Sequence, residues 1–261
     1  MRYTEYGTKS GPLLVFLHGG GIGGWMWDKQ VEYFRPNYHC LVPELLEPEQ
    51  PFSISSAADG VIELISERAE GKRVIIIGFS LGAQVAVALL AKKPNAVDSA
   101  MINSALVKPI PFSKCLDAVL SLSLPLVRNK AFARLQAKSM YVEEEHFNRY
   151  YKESCRISAE TFRTMFQENM AFHIPASFEQ ARANMLITVG AREKNVMKQS
   201  MKELVHSQAN SIGCMIPRVG HGLPLADPDR FNRLAEHWMQ TGEIHQDEGL
   251  IYHKKGAEKD E

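Results

Sequence analysis

Short, continuous runs of apolar residues alternate along this chain with longer segments in which apolar residues recur at helical spacing. A short apolar run bounded by turn residues is typical of a strand buried on both faces of a sheet. Such runs predict strands at Leu13–Leu17, His39–Val42, Val74–Ile77, Ser99–Asn103, Met185–Val189 and Cys214–Val219, with a short one near Tyr3–Tyr6. Helical spacing predicts helices at Trp25–Phe34, Ser55–Ala69 and Leu81–Lys92, and around Phe231, Leu234, Ala235 and Trp238. The alternation predicts an α/β fold with a doubly wound, mostly parallel sheet.

Two parts of the chain depart from this alternation. Between residues 107 and 177 several helical patterns follow one another, interrupted by Pro109, Pro111, Pro125 and Pro175. We predict that residues 107–177 form a helical cap inserted into a core made of residues 1–106 and 178–242. One cap helix should start near Ser158 and present a broad, deformable apolar face made of Phe162, Met165, Phe166 and Met170; simple packing of this face on the core is the alternative. Residues 243–261 are charged and aperiodic, which predicts a flexible tail.

Composition narrows the classes of function. The 261 residues include 30 basic and 30 acidic side chains, so no net charge steers the chain toward nucleic acid or an anionic membrane. The four cysteines lack metal-ligand spacing and are expected to be reduced thiols. The first residues lack the order of a signal peptide, and no apolar run is long enough to cross a bilayer. We expect a cytoplasmic protein that acts on a small molecule; the oligomeric state stays open.

The first candidate for chemistry is a serine in a glycine turn. The segment from Val74 to Gly82 places G-x-S-x-G directly after a predicted strand and directly before a predicted helix. A serine on so tight a turn takes a strained backbone conformation, and its neighbours two residues away must lack bulk, as Gly78 and Gly82 do. The turn exposes the Ser80 hydroxyl, and the helix start offers the Leu81 N–H to a developing negative oxygen. We predict a nucleophile; a plain helix N-cap is the alternative.

A glycine-rich loop, Leu17-His-Gly-Gly-Gly-Ile-Gly-Gly-Trp25, follows an earlier predicted strand. Glycine lets the backbone approach a ligand closely and turn an N–H toward it. We predict that the Gly20 amide is the second oxyanion donor, with Gly19 and Gly21 beside it, and that His18 shapes the loop. A flexible turn is the alternative, and a phosphate loop is disfavoured because no G-x-x-x-x-G-K-[ST] pattern follows.

These motifs together resemble the α/β-hydrolase family. The early HG, the G-F-S-L-G turn and a late G-H occur in that family's order, between Leu13 and about Met239. The resemblance implies the α/β-hydrolase fold and a catalytic triad in the order serine, acid, histidine. The family's histidine follows the last strand, in a position that His221 occupies here. Such a mechanism needs no metal and no organic cofactor.

The resemblance also points to the acid. In the family an Asp usually follows a late strand after a glycine and two further residues, and Val189-Gly-Ala-Arg-Glu-Lys places Glu193 there. Some members keep the acid one strand earlier, but that strand ends here in Ile102-Asn-Ser, which has no carboxylate. We predict Glu193 as the acid; a solvated loop charge paired with Arg192 or Lys194 is the alternative.

Three functions stay open at this point. The first is a serine hydrolase of the carboxylesterase kind, which forms an acyl-enzyme from a small or medium apolar acyl substrate. The second is a C–C bond hydrolase of the meta-cleavage-product type, because the glycine-rich loop resembles those enzymes; its anionic substrate would need a cation such as Lys108, Arg128 or Arg163. The third is a non-catalytic family member that binds a ligand or signals. Pro43-Glu-Leu-Leu-Glu-Pro replaces a glycine turn common in the family, so substrate analogies are weak.

Overall fold

A mostly parallel sheet forms the centre of the protein. The computed structural model describes residues 1–47, 50–110, 128–244 and 250–254. The described strands are β1 (Tyr3–Gly7), β2 (Leu13–Leu17), β3 (His39–Pro43), β4 (Val74–Phe79), β5 (Ser99–Asn103), β6 (Asn184–Gly190), β7 (Ser211–Ile216) and β8 (Ile251–Lys254). They are ordered β1-β3-β2-β4-β5-β6-β7-β8 across the sheet. All neighbours from β3 to β7 are parallel, while the edge strands β1 and β8 are antiparallel. The predicted fold class is confirmed.

Helices cover both faces of this sheet. The described α-helices are α1 (Asp28–Phe34), α2 (Ile54–Arg68), α3 (Leu81–Lys92), α4 (Lys130–Ser139), α5 (Glu144–Arg156), α6 (Ala159–Ala171), α7 (Asn195–Ser207), α8 (Leu223–Ala226) and α9 (Pro228–Thr241). Short 3-10 helices span Gly24–Trp27 and Ala176–Gln180. None of the described helices has the length and hydropathy of a membrane span.

The apolar runs are buried on both faces because successive side chains of a strand point to opposite sides. In β2, Leu13, Val15 and Leu17 belong to a core shared with α2, α3 and α7. Leu14 and Phe16 belong to a second core shared with α1 and α9. The sheet is therefore fixed between two apolar layers, and the carboxyl ends of its parallel strands lie together at one edge.

Strand β7 lies three residues before its predicted position, Cys214–Val219. It begins at Ser211 and ends at Ile216. Pro217 has no N–H to donate to a neighbouring strand, and Arg218 has φ 68°, a left-handed conformation that a strand excludes. These residues instead start the loop that carries His221.

The segment between β5 and β6 is mostly helical over residues 128–183, whereas residues 104–110 are not helical. Helices α4, α5 and α6 and the second 3-10 helix follow one another there, and residues 111–127 of the predicted cap lie outside the described part. Ser158 caps the amino end of α6 by accepting a hydrogen bond from Thr161 N. Phe162 and Met165 of that helix pack in the core of α2 and α3.

The carboxyl-terminal segment differs in one place from the expected flexible tail. Ile251–Lys254 forms β8 and pairs antiparallel with β7, with Ile251 opposite Met215 and Lys254 opposite Ile212. Pairing with a sheet edge stabilises even a polar segment, because the edge strand supplies unpaired backbone groups. Residues 245–249 and 255–261 lie outside the described part.

The cysteines that the structure describes are free thiols: Cys40, Cys155 and Cys214. Burial raises the pKa of Cys40 and of Cys214 to about 12. Both therefore stay protonated at neutral pH, which makes them inert packing residues rather than nucleophiles. Cys115 lies outside the described residues.

Candidate active site

Ser80 lies on a strained turn between β4 and α3. Its backbone has φ 53° and ψ −113°, a conformation that non-glycine residues rarely adopt. Its amide donates a 2.9 Å hydrogen bond to the Asn103 carbonyl, which ties the turn to the neighbouring strand β5. Its side chain makes no capping hydrogen bond with α3, so the alternative of a plain N-cap is wrong.

The two glycines of this turn have no room for a side chain. A Cβ on Gly78 would lie 2.6 Å from the Gly82 carbonyl oxygen and 2.8 Å from Ala83 Cα. A Cβ on Gly82 would lie 2.2 Å from the Leu17 carbonyl oxygen. All of these neighbours are backbone atoms, which cannot move without shifting β2 or α3. The spacing G-x-S-x-G is therefore a packing requirement of the strand–turn–helix junction.

His221 is brought to the Ser80 hydroxyl by the loop after β7. Its Nε2 lies 3.1 Å from Ser80 Oγ, and its Nδ1 lies 2.8 Å from Glu193 Oε2. The Phe79 ring packs against the imidazole, with ring centroids 4.9 Å apart. Residues that are 141 and 28 positions from His221 in sequence thus form one hydrogen-bonded chain.

Glu193 is a buried carboxylate at the end of β6. Its side chain is 1% exposed, so it is not the solvated loop charge considered as the alternative. Oε1 accepts hydrogen bonds from Ser104 Oγ at 2.7 Å and from the Gly190 amide at 2.9 Å, while Oε2 faces His221. Burial by itself raises the pKa of Glu193, but the hydrogen bonds from His221, Ser104 and Gly190 outweigh it and lower the pKa overall.

This ionised acid fixes the tautomer of His221. A carboxylate only accepts hydrogen bonds, so Nδ1 must carry the proton that points at Glu193. Nε2 then presents a lone pair toward the hydroxyl of Ser80. A neutral imidazole in this orientation is able to take the hydroxyl proton, as a general base must.

Ser104 was missed by reasoning from the sequence. It follows β5 directly, has φ 55°, and donates both its hydroxyl to Glu193 and its amide to the Thr188 carbonyl. Strands β5 and β6 are parallel neighbours, so the residues after them meet at the same edge of the sheet. The order of the strands in the sheet would have pointed to Ser104, but the sequence does not specify that order.

Tyr141 was also missed. It lies between α4 and α5 with φ 60°, and its hydroxyl accepts a 3.3 Å hydrogen bond from the Gly220 amide. A Cβ on Gly222 would lie 3.2 Å from the Tyr141 ring. Tyr141 therefore contacts both residues that flank His221. No sequence motif marks this contact between the segment after β5 and the histidine loop.

The glycine-rich loop lies beside the start of α3. A Cβ on Gly20 would lie 3.4 Å from Leu81 Cδ2 and 3.1 Å from Met165 Sδ. Gly19 is equally confined, since its Cβ would lie 2.9 Å from the Phe79 ring, whereas Gly21 has φ 73°. The structure thus brings the two predicted oxyanion residues, Gly20 and Leu81, next to each other.

His18 holds this loop in place. Its Nδ1 lies 2.9 Å from the Gly19 carbonyl, and its Nε2 accepts a 2.9 Å hydrogen bond from the Leu45 amide. Burial lowers the pKa of His18 more than the nearby Glu44 raises it, so the ring stays neutral. A neutral ring that donates through Nδ1 and accepts through Nε2 matches both contacts. The segment that starts at Pro43, which departs from the family turn, is therefore tied to the glycine-rich loop.

Helix α5 packs directly on the same loop. Trp25 Nε1 donates a 2.6 Å hydrogen bond to Glu153 Oε2, and a Cβ on Gly23 would lie 2.5 Å from that oxygen. Burial raises the pKa of Glu153, while the Trp25 hydrogen bond acts in the opposite direction. Arg149 adds a 3.2 Å ion pair with Asp28. The helical segment is thus fixed to the rim of the candidate site.

The three cations considered for a C–C hydrolase are ion-paired or exposed. Lys108 pairs with Glu203 at 2.7 Å, and the side chains of Arg128 and Arg163 are exposed. Among the described residues, the group suited to hold a metal ion is the partly exposed cluster Glu143, Glu145 and His146. None of these residues contacts Ser80.

Comparison with known proteins identifies the family. Residues 14–234 match the model of the alpha/beta hydrolase family. The chain belongs to that family. This alpha/beta hydrolase is 21% identical to the (E)-2-((N-methylformamido)methylene)succinate hydrolase of Acinetobacter baylyi, over 92% of this chain and 94% of that protein.

Solved structures share the fold of this alpha/beta hydrolase. An esterase from Exiguobacterium antarcticum superimposes with a TM-score of 0.77 at 15% identity, covering 92% of this chain and 95% of that one. A meta-cleavage product hydrolase from Pseudomonas fluorescens gives 0.71 at 19% identity, covering 92% and 94%. At such identities the likeness establishes the fold, and the reaction must be argued from the site.

Proposed function

We propose that this protein is a serine hydrolase that cleaves carboxylic esters, with Ser80 as nucleophile, His221 as general base and Glu193 as the acid. The observation that carries the proposal is the continuous hydrogen-bonded chain from Ser80 Oγ through both nitrogens of His221 to the buried Glu193 carboxylate. Each residue type matches its role: a partly buried serine on a strained turn, an oriented imidazole and an ionised acid.

The reaction has two halves. Ser80 Oγ attacks the ester carbonyl carbon while His221 Nε2 takes the hydroxyl proton, and the Glu193 carboxylate stabilises the imidazolium. Collapse of the tetrahedral intermediate breaks the bond to the alcohol oxygen, which leaves with the proton from Nε2. Water, deprotonated by the same nitrogen, then attacks the acyl-enzyme and releases the acid and free Ser80.

The oxyanion is assigned to two backbone amides. Leu81 N–H lies at the start of α3, where unpaired amides and the helix dipole favour negative charge. Gly20 lies beside Leu81, since a Cβ on Gly20 would be 3.4 Å from Leu81 Cδ2. Two N–H donors aimed at a developing negative oxygen in a site without water typically lower the activation free energy by several kcal/mol, about 3 kcal/mol each.

The apolar wall around the small cavity beside Gly20 favours an apolar acyl group. Five of the side chains that line it are Met140, Ile157, Phe162, Met165 and Phe166. Helices α4, α5 and α6 supply most of this wall, so we assign residues 107–177 the role of a cap over the site. The described lining of this cavity carries no cation, which favours ester hydrolysis. Arg2 and Arg156 line a second cavity beside Gly21 of the same loop, so the C–C reaction of an anionic dienoic acid is the second candidate.

Labelling with a fluorophosphonate probe tests the nucleophile. The wild-type protein should label quickly and Ser80→Ala not at all, while Ser139→Ala, an exposed serine, serves as the matched control. A protein that only binds a ligand would label slowly in all three forms. Turnover of a panel of p-nitrophenyl esters of increasing chain length then measures substrate preference, and near-normal turnover by Ser80→Ala would remove serine from the mechanism.

A further inference from the structure

The cavity beside Gly20 is not wholly apolar. It has a volume of about 40 Å³, which accommodates one water molecule or one small functional group. Besides its apolar side chains, it is lined by Gln136 of α4 and by Tyr150 and Ser154 of α5. These polar groups come from two different cap helices and converge on the same space beside the glycine-rich loop.

Two of these polar groups lack a hydrogen-bond partner. Ser154 is 7% exposed, and its Oγ makes no hydrogen bond with any described residue. Gln136 Oε1 is likewise buried and unpaired. Burying a polar atom without a partner is unfavourable, because the hydrogen bonds it made with water are lost. Native structures retain such groups where a ligand or an ordered water completes them.

Tyr150 does not complete them. Burial raises the pKa of Tyr150, and interaction with the Ser154 hydroxyl acts in the opposite direction. The two side chains are one helical turn apart on α5, so they are neighbours by geometry. They are not aligned as a hydrogen-bonded pair, and the buried Ser154 Oγ has no other partner among the described residues.

From this arrangement we infer that the cavity binds a neutral hydrogen-bonding group of the substrate, such as a hydroxyl or a primary or secondary amide, with Ser154 and Gln136 as specificity residues. With Gln136 Oε1 facing inward as an acceptor, an O–H or N–H of the substrate pairs with it. Ser154 both donates and accepts. The described lining carries no charge, so a neutral group suits it better than a carboxylate.

This inference rests on the proposed ester hydrolysis and names its substrate class: esters whose acyl part is mainly apolar but carries one hydroxyl or amide. A site built to pair a substrate hydroxyl rejects the analogue that lacks it, because its own polar groups are then left unpaired. Selectivity between a hydroxyl and a methyl group at the same position is therefore the property to measure.

The experiment uses two matched pairs of p-nitrophenyl esters. One pair is 3-hydroxybutanoate and 3-methylbutanoate, and the other is 6-hydroxyhexanoate and heptanoate, so the hydroxyl is offered at two distances from the ester. The wild-type protein, Ser154→Ala, Gln136→Met and the control Ser56→Ala, an exposed serine on α2, are compared in kcat/KM. In at least one pair, Ser154→Ala and Gln136→Met should lower kcat/KM for the hydroxyl ester about tenfold and leave the methyl ester unchanged or faster.

Thermal unfolding separates recognition from structure. Because Ser154 Oγ has no partner to lose, Ser154→Ala should keep or raise the Tm; a fall in Tm together with equal losses on both esters of each pair would overturn the subsite. Unchanged kinetics in both variants would overturn it as well. If the wild-type protein neither labels with fluorophosphonate nor hydrolyses any ester, the proposed function fails, and the subsite assignment fails with it.

Discussion

Replacing Glu193 by Gln tests the acid of the triad with the smallest change in shape. The carboxylate accepts from three donors: Ser104 Oγ, the Gly190 amide and His221 Nδ1. An amide has one oxygen and one NH2 group, so it fails to match all three. With its oxygen toward Gly190, its NH2 faces His221 Nδ1 and forces the imidazole into the tautomer whose Nε2 carries a proton and is unable to accept one from Ser80.

The opposite orientation of the amide is also unfavourable. It restores the hydrogen bond from His221 but places an NH2 group against the buried Gly190 N–H, at a cost of about 1–3 kcal/mol. In either orientation the imidazolium of the transition state loses its negative partner, which costs roughly a further 3 kcal/mol. The sum of about 5 kcal/mol corresponds to a fall of about 10⁴-fold in kcat.

The assay is kcat and KM for a p-nitrophenyl ester, with fluorophosphonate labelling rate as a second readout. Glu145→Gln, an exposed carboxylate on α5, is the matched control and should keep the wild-type rate. A Glu193→Gln variant that retains more than about a tenth of the wild-type kcat would refute the reasoning, and another carboxylate would have to orient His221.

The same substitution should change how the stability of the folded protein depends on pH. The pKa of Glu193 in the folded state is lowered from its ordinary value of 4.5, so its contribution to stability is complete above that pH. The contribution is lost as the pH falls through the lowered folded value, because the unfolded chain binds the proton more readily. Thermal unfolding of Glu193→Gln should therefore decline less steeply with acid than that of the wild type. An equally steep decline would contradict the lowered pKa.

Three further substitutions test the supporting structure. Gly78→Ala should lower the free energy of unfolding by about 3 kcal/mol, measured by urea unfolding, because its methyl group would lie 2.6 Å from a backbone oxygen of α3. The control Gly60→Ala, within α2, should not destabilise the fold. Ser104→Ala should lower kcat about tenfold with little change in KM, since the acid loses a 2.7 Å charge-assisted hydrogen bond; an unchanged kcat would assign the serine a packing role only. Tyr141→Phe should lower kcat about threefold by freeing the Gly220 amide, and a change confined to KM would contradict that positioning.

The sequence alone was sufficient for strands β1 to β6 and for the turn that carries Ser80, but it misplaced β7 and missed β8. Continuous apolar runs are a direct consequence of burial on both faces, so strands such as β2 and β4 are legible without coordinates. The glycines two residues before and after Ser80 are also apparent in the sequence, because only glycine fits where backbone atoms approach within 3 Å. Family resemblance then pointed to His221 and Glu193.

Tertiary structure alone decided how these residues are supported. Ser104 reaches Glu193 because β5 and β6 are neighbours in the sheet, and Tyr141 reaches the His221 loop because the helices after β5 fold back over the strand ends. In the sequence Ser154 is an ordinary polar residue, and only the folded chain shows that its hydroxyl is buried and unpaired. Local patterns encode which elements form, whereas contacts between distant elements depend on packing, which short-range periodicity does not specify.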